Sequence, residues 1–229
     1  MPAEGPWPAP VSCPAGRHRR WGTNKNDAQK AFFLFAFSKT FTQHYESRTT
    51  AYIRDYLPSV EQITAAEGLS VSNAINYVYS KTNLDAPDHR LFGNNIELAL
   101  SLVQRRTGAS VHYADNAPEI DHIFPRSVLA EKGFDPSEIE DIGNNWILPR
   151  GINRNKSAKH PKELLKPVDD QALAAALINR ASLDYRSFSS FVRDRREALV
   201  DRLRQITQLR EPDFDILYEE EEEEQEVVQ

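Results

Sequence analysis

The chain has 229 residues, of which 40% are hydrophobic, enough for one or two small globular domains, and no apolar run approaches the roughly 20 residues that span a bilayer. A single cysteine, Cys13, excludes an intrachain disulfide and a cysteine-rich zinc site, so no structural zinc is expected. The first residues contain Pro, Gly and Arg where a signal peptide needs an apolar run. We therefore expect a cytoplasmic protein with no secretion signal and no membrane partner.

Charge is distributed unevenly along the chain. The net charge of −6 becomes +1 without the seven glutamates of residues 219–229. Residues 119–141 hold seven acidic and two basic side chains, whereas residues 149–166 hold six basic and one acidic. An acidic segment beside a basic one fits a metal site next to a phosphate-binding surface, although an ordinary solvated face would show the same charges.

Residues 23–110 form a region with helical periodicity, after a leader at 1–22 that is rich in Pro, Gly and Arg and is predicted to be disordered. Apolar spacing predicts a helix capped by Asp27 that runs to about Tyr45, with five phenylalanines that we expect in the core. Further helices are predicted over Arg48–Tyr56, from Ser70 through Tyr79, and over Asn94–Arg106.

From residue 111 to about 149 the helical period disappears. Short β-prone pieces replace it at Val111–Tyr113, Ile120–Phe124 and Trp146–Leu148, with Trp146 expected in the core. A helix is predicted to return at Asn153 and to be interrupted at Pro161. C-terminal helices in 167–217 are predicted over Asp169–Ile178 and Tyr185–Leu209, and 218–229 is a disordered acidic tail that either adds solubility or mimics DNA.

The chemistry-bearing residues are concentrated between 119 and 166. Asp121 and His122 are adjacent near the end of a β-prone piece, and Pro125 makes a strand end or bend plausible there, which lets both side chains reach one substrate. A carboxylate and an imidazole supply a ligand for a hard cation and a base that titrates near neutrality. Asn153 offers another hard oxygen at the start of a basic helical segment, whose side chains and N-terminus can hold phosphates.

Three linked blocks carry a family resemblance. Asp-His-Ile-Phe-Pro-Arg-Ser begins at Asp121, Gly-Asn-Asn-Trp-Ile-Leu begins at Gly143, and Asn-Arg-Asn-Lys-Ser begins at Asn153, nine residues after Asn144. Together they resemble the HNH (ββα-metal) nuclease motif of RNA-guided CRISPR nucleases. They are more similar still to the C-terminal nuclease domain of GmrSD-type modification-dependent restriction enzymes. The resemblance covers residues 119–161, about a fifth of the chain.

The resemblance implies a role for each matching position. His122 would be the general base that activates water, and Asp121 and Asn153 would bind the metal. Asn144 would be the middle Asn of the motif, which ties the loop and helps to orient the His ring, and Asn145 competes for that role. Nucleic-acid contacts would come from Arg126, Arg154, Lys156 and Lys159, with His160 as a weaker candidate.

The expected protein is therefore of the α+β class, with a mostly helical body and a ββα-metal module at 111–166. The resemblance implies a cytoplasmic endonuclease that cleaves DNA with a divalent metal, most simply Mg²⁺ with Mn²⁺ as the alternative, in restriction or defence against foreign DNA. A nucleotide-hydrolysing partner subunit is also implied, because residues 26–106 lack the Asp-Gly-Gln-Gln-Arg signature of the nucleotide-hydrolysing half of GmrSD-type systems. Alternatives are a catalytically silent nucleic-acid-binding module and an RNase or toxin-type nuclease.

Overall fold

The computed structural model describes residues 21–42, 44–55, 71–84, 86–105, 119–148 and 159–211. Over these residues the protein is mostly helical and contains one two-stranded sheet, which confirms the α+β class with a helical body. No helix in these ranges is long and apolar enough to cross a membrane.

Five helices precede the sheet in the described part of the chain. They are α1 (Trp21–Ser38), α2 (Tyr45–Asp55), α3 (Val71–Thr82), α4 (His89–Gly93) and α5 (Ile96–Arg105). Along α1 and α3 the buried apolar residues recur at three- and four-residue intervals, so each of these two helices presents an apolar stripe to its neighbours. The N-terminus of α4 is capped by Asp88, whose carboxylate accepts from the backbone N–H groups of Arg90 and Leu91.

The sheet consists of β1 (Glu119–His122) and β2 (Asn145–Leu148), paired antiparallel. Between the strands lie α6 (Arg126–Glu131), α7 (Pro136–Ile139) and a 3-10 turn at Ile142–Asn144. After the sheet follow α8 (Pro161–Leu164), α9 (Asp170–Ala175), two 3-10 turns at Arg180–Ser182 and Tyr185–Ser187, and the long α10 (Phe188–Thr207).

The buried apolar side chains form two clusters. The helical cluster joins α1, α3, α4 and α5 to the C-terminal half of α10, and it includes Leu34, Phe37 and Leu203. The strand cluster surrounds Phe124 and Trp146 and takes in the N-terminal half of α10. Adjacent residues of β2 face opposite sides, as a strand requires: Trp146 enters the strand cluster and Ile147 the helical one. The sheet and α10 therefore lie between the two clusters.

Several predicted boundaries were wrong. Asp27 does not cap α1, because that helix begins at Trp21, and the helix stops at Ser38 rather than near Tyr45. The stop follows from Lys39, whose positive φ of 53° is left-handed and cannot continue an α-helix. The five phenylalanines were also not all core residues: Phe37 is fully buried, but Phe32 is 64% exposed.

The segment between the strands is more helical than expected. Helices α6 and α7 are six and four residues long, too short to show a helical period in the sequence. The predicted strand Ile120–Phe124 ends at His122. The N–H of Ile123 still bonds to the backbone carbonyl of Asn144, but the N–H of Phe124 bonds to the Asn144 side chain instead of continuing the ladder. Pro161 begins α8, a position at which proline is favoured. The helix that Pro161 was expected to interrupt lies outside the described residues.

Other predictions fall outside the described residues. They are the strand Val111–Tyr113, the helix starting at Asn153, the acidic tail at 218–229, and residues 1–20 of the leader predicted over 1–22, whose last two residues instead begin α1.

Candidate active site

The end of β1 brings the first two predicted site residues together. Asp121 pairs with Trp146 and His122 with Asn145 across the sheet. Adjacent residues of a strand point to opposite faces, yet Oδ1 of Asp121 and Nδ1 of His122 lie only 3.9 Å apart. The backbone N–H of His122 also donates to Asp121 Oδ1 at 2.7 Å. Both side chains keep access to solvent, with 23% of Asp121 and 15% of His122 exposed.

Asn144 is fully buried and fastens the chain where β1 ends. Its Oδ1 accepts from the backbone N–H of Phe124 at 3.0 Å, and its Nδ2 donates to the carbonyl oxygens of Phe124 at 3.3 Å and Ile139 at 3.0 Å. Its backbone carbonyl accepts from the N–H of Ile123 at 2.7 Å. At Phe124 one amide side chain thus takes the place of the strand ladder, and it links the chain just after β1 to the end of α7.

Asn145, the competing candidate, has a different partner. It is buried, and its Nδ2 donates to the carbonyl oxygen of Asp141 at 2.8 Å. Asp141 in turn caps the 3-10 turn, because its Oδ1 accepts from the N–H of Gly143 at 2.7 Å. The two asparagines therefore hold the backbone on either side of residue 140.

The turn is also held from α10 by a buried arginine. Nη1 of Arg195 donates to the carbonyl oxygens of Ile142 at 3.3 Å, Gly143 at 2.8 Å and Asn145 at 2.7 Å, and its Nε donates to Ala176 at 3.1 Å. Burial lowers the pKa of the Arg195 guanidinium to about 9, and the nearby Asp141 carboxylate opposes that shift. At neutral pH the side chain still carries its charge, so its hydrogen bonds are charge-assisted.

Glycine is required where this turn meets α10. A Cβ at Gly143 would overlap the backbone carbonyl oxygen of Val192, an atom that cannot swing aside as a flexible side chain would. The missing side chain lets the turn approach the helix closely enough for Arg195 to reach three of its carbonyls.

Glu140 lies beside the imidazole of His122. Its Oε2 is 3.3 Å from Nε2 of His122, and its Oε1 is 2.7 Å from Nε of Arg126. The carboxylate is half exposed and follows directly after α7. Arg126, predicted to contact nucleic acid, is 66% exposed and pairs with this glutamate.

Of the other predicted site residues, some lie within the described ranges and some do not. Asn153, Arg154 and Lys156 lie outside the described residues. Lys159 is exposed just before α8. His160 caps α8, with Nδ1 accepting from the N–H of Lys162 at 3.2 Å and its ring edge-to-face with Tyr185.

Sequence reasoning missed Glu140, Arg195 and Gly143. Glu140 is one of seven acidic residues in 119–141, and its spacing does not distinguish it from the others. Arg195 stands in a run with Arg193 and Arg196, and only its place on the buried face of α10 separates it from them. Gly143 was visible as part of the Gly-Asn block, but the close approach that requires it is a tertiary feature.

In the described ranges, no group of three or more His, Cys, Asp or Glu side chains is arranged to hold a metal ion. Comparison of the chain with models of protein families, with curated proteins and with solved structures found no match. The site is therefore interpreted from its own geometry and from its motifs.

Proposed function

We propose that this protein is a divalent-metal-dependent endonuclease of the HNH type that hydrolyses phosphodiester bonds in DNA. The observation that carries the proposal is the pair at the end of β1: a carboxylate and an imidazole 3.9 Å apart, both reached by solvent. The two residues that follow the pair are held by the buried Asn144. Such a pair combines a ligand for a hard cation with a proton acceptor, which is what phosphodiester hydrolysis by water requires.

His122 is the base in this proposal. A neutral imidazole takes the proton from the attacking water, and a base of this kind contributes about 10²–10⁴-fold to the rate. Imidazole is the side chain that most often acts as a general base. The partly buried position, with 15% of the side chain exposed, limits the ring to few orientations while leaving room for water.

Asp121 is the proposed metal ligand, and its donor type fits magnesium. Carboxylate oxygens are hard donors, and Mg²⁺ commonly uses only one or two of them from the protein, together with waters and substrate phosphates. Asn153 is the second ligand that the motif predicts. When bound, the ion supplies Lewis-acid activation of the phosphate and neutralises charge that develops on it. The remaining functions, binding and proton transfer, belong to the side chains of the chain itself.

DNA as the substrate and restriction as the role come from the family resemblance. Exposed cationic side chains support an anionic substrate: Arg126 lies at the site beside Glu140, and Lys159 is exposed just before α8. Neutralising phosphates releases counterions, so each lysine or arginine that contacts DNA steepens the salt dependence of binding. Lys159→Ala should reduce the slope of the logarithm of the binding constant against the logarithm of salt concentration by about the contribution of one phosphate contact. An unchanged slope would place Lys159 away from the DNA.

The decisive experiment is plasmid cleavage by the purified chain with Mg²⁺, with Mn²⁺, and with EDTA. We expect metal-dependent nicking that EDTA abolishes. His122→Ala should lower the cleavage rate about 10²–10⁴-fold while the dissociation constant for DNA stays within about twofold. The matched control is His89→Ala, an exposed histidine on α4 that should leave cleavage unchanged.

The same assay separates the alternatives. DNA binding without cleavage under any metal would identify a silent binding module. Cleavage of RNA in preference to DNA would identify a ribonuclease. Cleavage by His122→Ala at the parental rate would remove His122 from the mechanism.

A further inference from the structure

Glu140 joins three elements at the candidate active site. It follows α7, its Oε2 contacts Nε2 of His122 at the end of β1, and its Oε1 contacts Nε of Arg126 at the start of α6. The contact to Arg126 is short, at 2.7 Å, and charge-assisted. The carboxylate is thus held by the arginine on one side and turned towards the imidazole on the other.

The chemistry of the two groups fixes the direction of the hydrogen bond. An ionised carboxylate has lone pairs and no proton, so it can only accept. Nε2 of His122 must therefore carry the hydrogen that points at Glu140, at a heavy-atom separation of 3.3 Å. In a neutral imidazole the lone pair then lies on Nδ1. Nδ1 is the nitrogen that faces Asp121, at 3.9 Å from its Oδ1.

The backbone on both sides of Glu140 is fastened. The carbonyl oxygen of Ile139 accepts from the buried Asn144, and that of Asp141 accepts from the buried Asn145. Since Asn144 also binds both backbone groups of Phe124, the glutamate and the end of β1 are tied to the same side chain. The Cα of Glu140 is therefore held at a set distance from His122, even though half of its side chain is exposed.

We propose that Glu140 is the positioning residue of His122: it fixes the tautomer protonated on Nε2, so that Nδ1, on the Asp121 side, is the nitrogen that accepts the proton. Arg126 acts as the anchor of Glu140 in this arrangement. The proposal rests on the nuclease function for its catalytic meaning. The hydrogen-bond direction itself does not, and it is measurable in a protein without activity.

The first test is kinetic. Glu140→Ala should lower kcat for plasmid cleavage about 10–100-fold, the usual cost of removing a partner that orients a catalytic or ligating histidine, with KM for DNA within about twofold. Glu140→Gln should recover most of the rate, because its amide oxygen also accepts a hydrogen bond. A kcat of Glu140→Ala equal to the parental value would overturn the proposal.

Glu138→Ala is the matched control. Glu138 and Glu140 both line a cavity of about 310 Å³, and Glu138 accepts from the hydroxyl of Ser189 at 3.0 Å on α10. Removal of Glu138 takes the same charge from the same neighbourhood, so kcat should stay within about twofold. An equal loss in both variants would assign the effect to general charge and contradict a positioning role for Glu140.

The second test needs no activity. Nitrogen-15 NMR of His122, at a pH where its ring is neutral, distinguishes a protonated ring nitrogen from one with a free lone pair. The parental protein should show Nε2 protonated and Nδ1 unprotonated, and Glu140→Ala should show a mixture of tautomers. A proton on Nδ1 in the parental protein would refute the proposal. An inactive parental protein with the expected tautomer would instead overturn the nuclease function alone.

Discussion

The helical cluster and the strand cluster both pack against α10, but different forces position their elements. Around Leu34 and Phe37 the elements meet through apolar side chains on whole helices, whose packing depends on volume and shape. Around Asn144 the elements are four-residue strands and short helices, too small to be fixed by apolar area alone. There the position of the backbone depends on directed hydrogen bonds from Asn144, Asn145 and Arg195. The helical part should therefore tolerate conservative change, whereas the site should depend on single atoms.

The largest loss in the free energy of unfolding is expected from substitution of Arg195. Arg195→Met keeps much of the apolar stem but leaves four backbone carbonyls without their donor, while Asp141 keeps its ion pair with Arg196 at 2.8 Å. Since each buried carbonyl left unsatisfied costs about 1–3 kcal/mol, we expect a total loss of roughly 3–5 kcal/mol in the free energy of unfolding, measured with urea. Arg193→Met, on the exposed side of the same helix, should stay within about 0.5 kcal/mol. Equal stability of the two variants would remove the distinction between the clusters.

Replacement of a residue by another of similar size tests the contrast directly. Asn144→Leu leaves the N–H and carbonyl of Phe124 and the carbonyl of Ile139 unsatisfied, and each buried group costs about 1–3 kcal/mol. We expect a total of about 3 kcal/mol. Leu34→Met in the helical cluster should cost less than about 1.5 kcal/mol. If Asn144→Leu cost less stability than Leu34→Met, hydrogen bonding would not be what positions the strand region.

A third pair of variants replaces one glycine in each region by alanine. Gly143→Ala places a Cβ against the backbone of α10, so we expect a loss of about 1–3 kcal/mol. Gly93→Ala meets open space in α4 and should be neutral or slightly stabilising, by about 0.4–1 kcal/mol. Thermal unfolding of both variants checks this. A destabilised Gly93→Ala together with a neutral Gly143→Ala would mean that the turn lies further from α10.

The smallest change in the free energy of unfolding is expected from substitution of Asp88, which caps α4 at the edge of the helical cluster. Partial burial tends to raise the pKa of Asp88, but hydrogen bonds from the Arg90 side chain and from the N–H groups of Arg90 and Leu91 lower it overall. The folded state therefore binds the proton less tightly than the unfolded state. Its contribution to stability is present above the unfolded pKa of about 3.9 and is lost as pH falls through the lower folded value.

Asp88→Asn keeps a capping oxygen and removes the charge. We expect a cost below about 1 kcal/mol at pH 7 that shrinks as the pH falls below about 4, measured by urea unfolding at both pH values. A difference that does not change with pH would show that the charge of Asp88 contributes nothing to stability.

The sequence predicted the elements of the helical cluster better than the arrangement of the strand cluster. Helix α3 was expected from Ser70-Val71 and the spacing of Ala74, Ile75 and Val78, and the structure has it at Val71–Thr82. Periodicity works there because a long helix repeats its apolar face several times. The strand at Trp146 was also found, because β-branched and aromatic residues between turn residues are a local signal.

For the site, the sequence predicted which residues are present but not how they are arranged. The adjacency of Asp121 and His122 was visible, but the 3.9 Å between their side chains was not. Nor did the sequence indicate that Asn144, more than twenty residues away along the chain, holds the two residues that follow them. Helices α6 and α7 left only cap signals, such as Asp135-Pro136, which indicate a start without a length. The role of Arg195 depends on which face of α10 is buried against the turn, and the sequence alone does not specify that contact.

The contact between α10 and the turn has a consequence for protein engineering. A transplant of residues 119–166 into another scaffold would carry the candidate nuclease motif but leave behind the guanidinium that holds its central turn. The recipient would have to supply a helix with an arginine at the matching place, and a glycine-sized gap opposite it. The portable unit is therefore the motif together with Phe188–Thr207, a discontinuous piece of the chain.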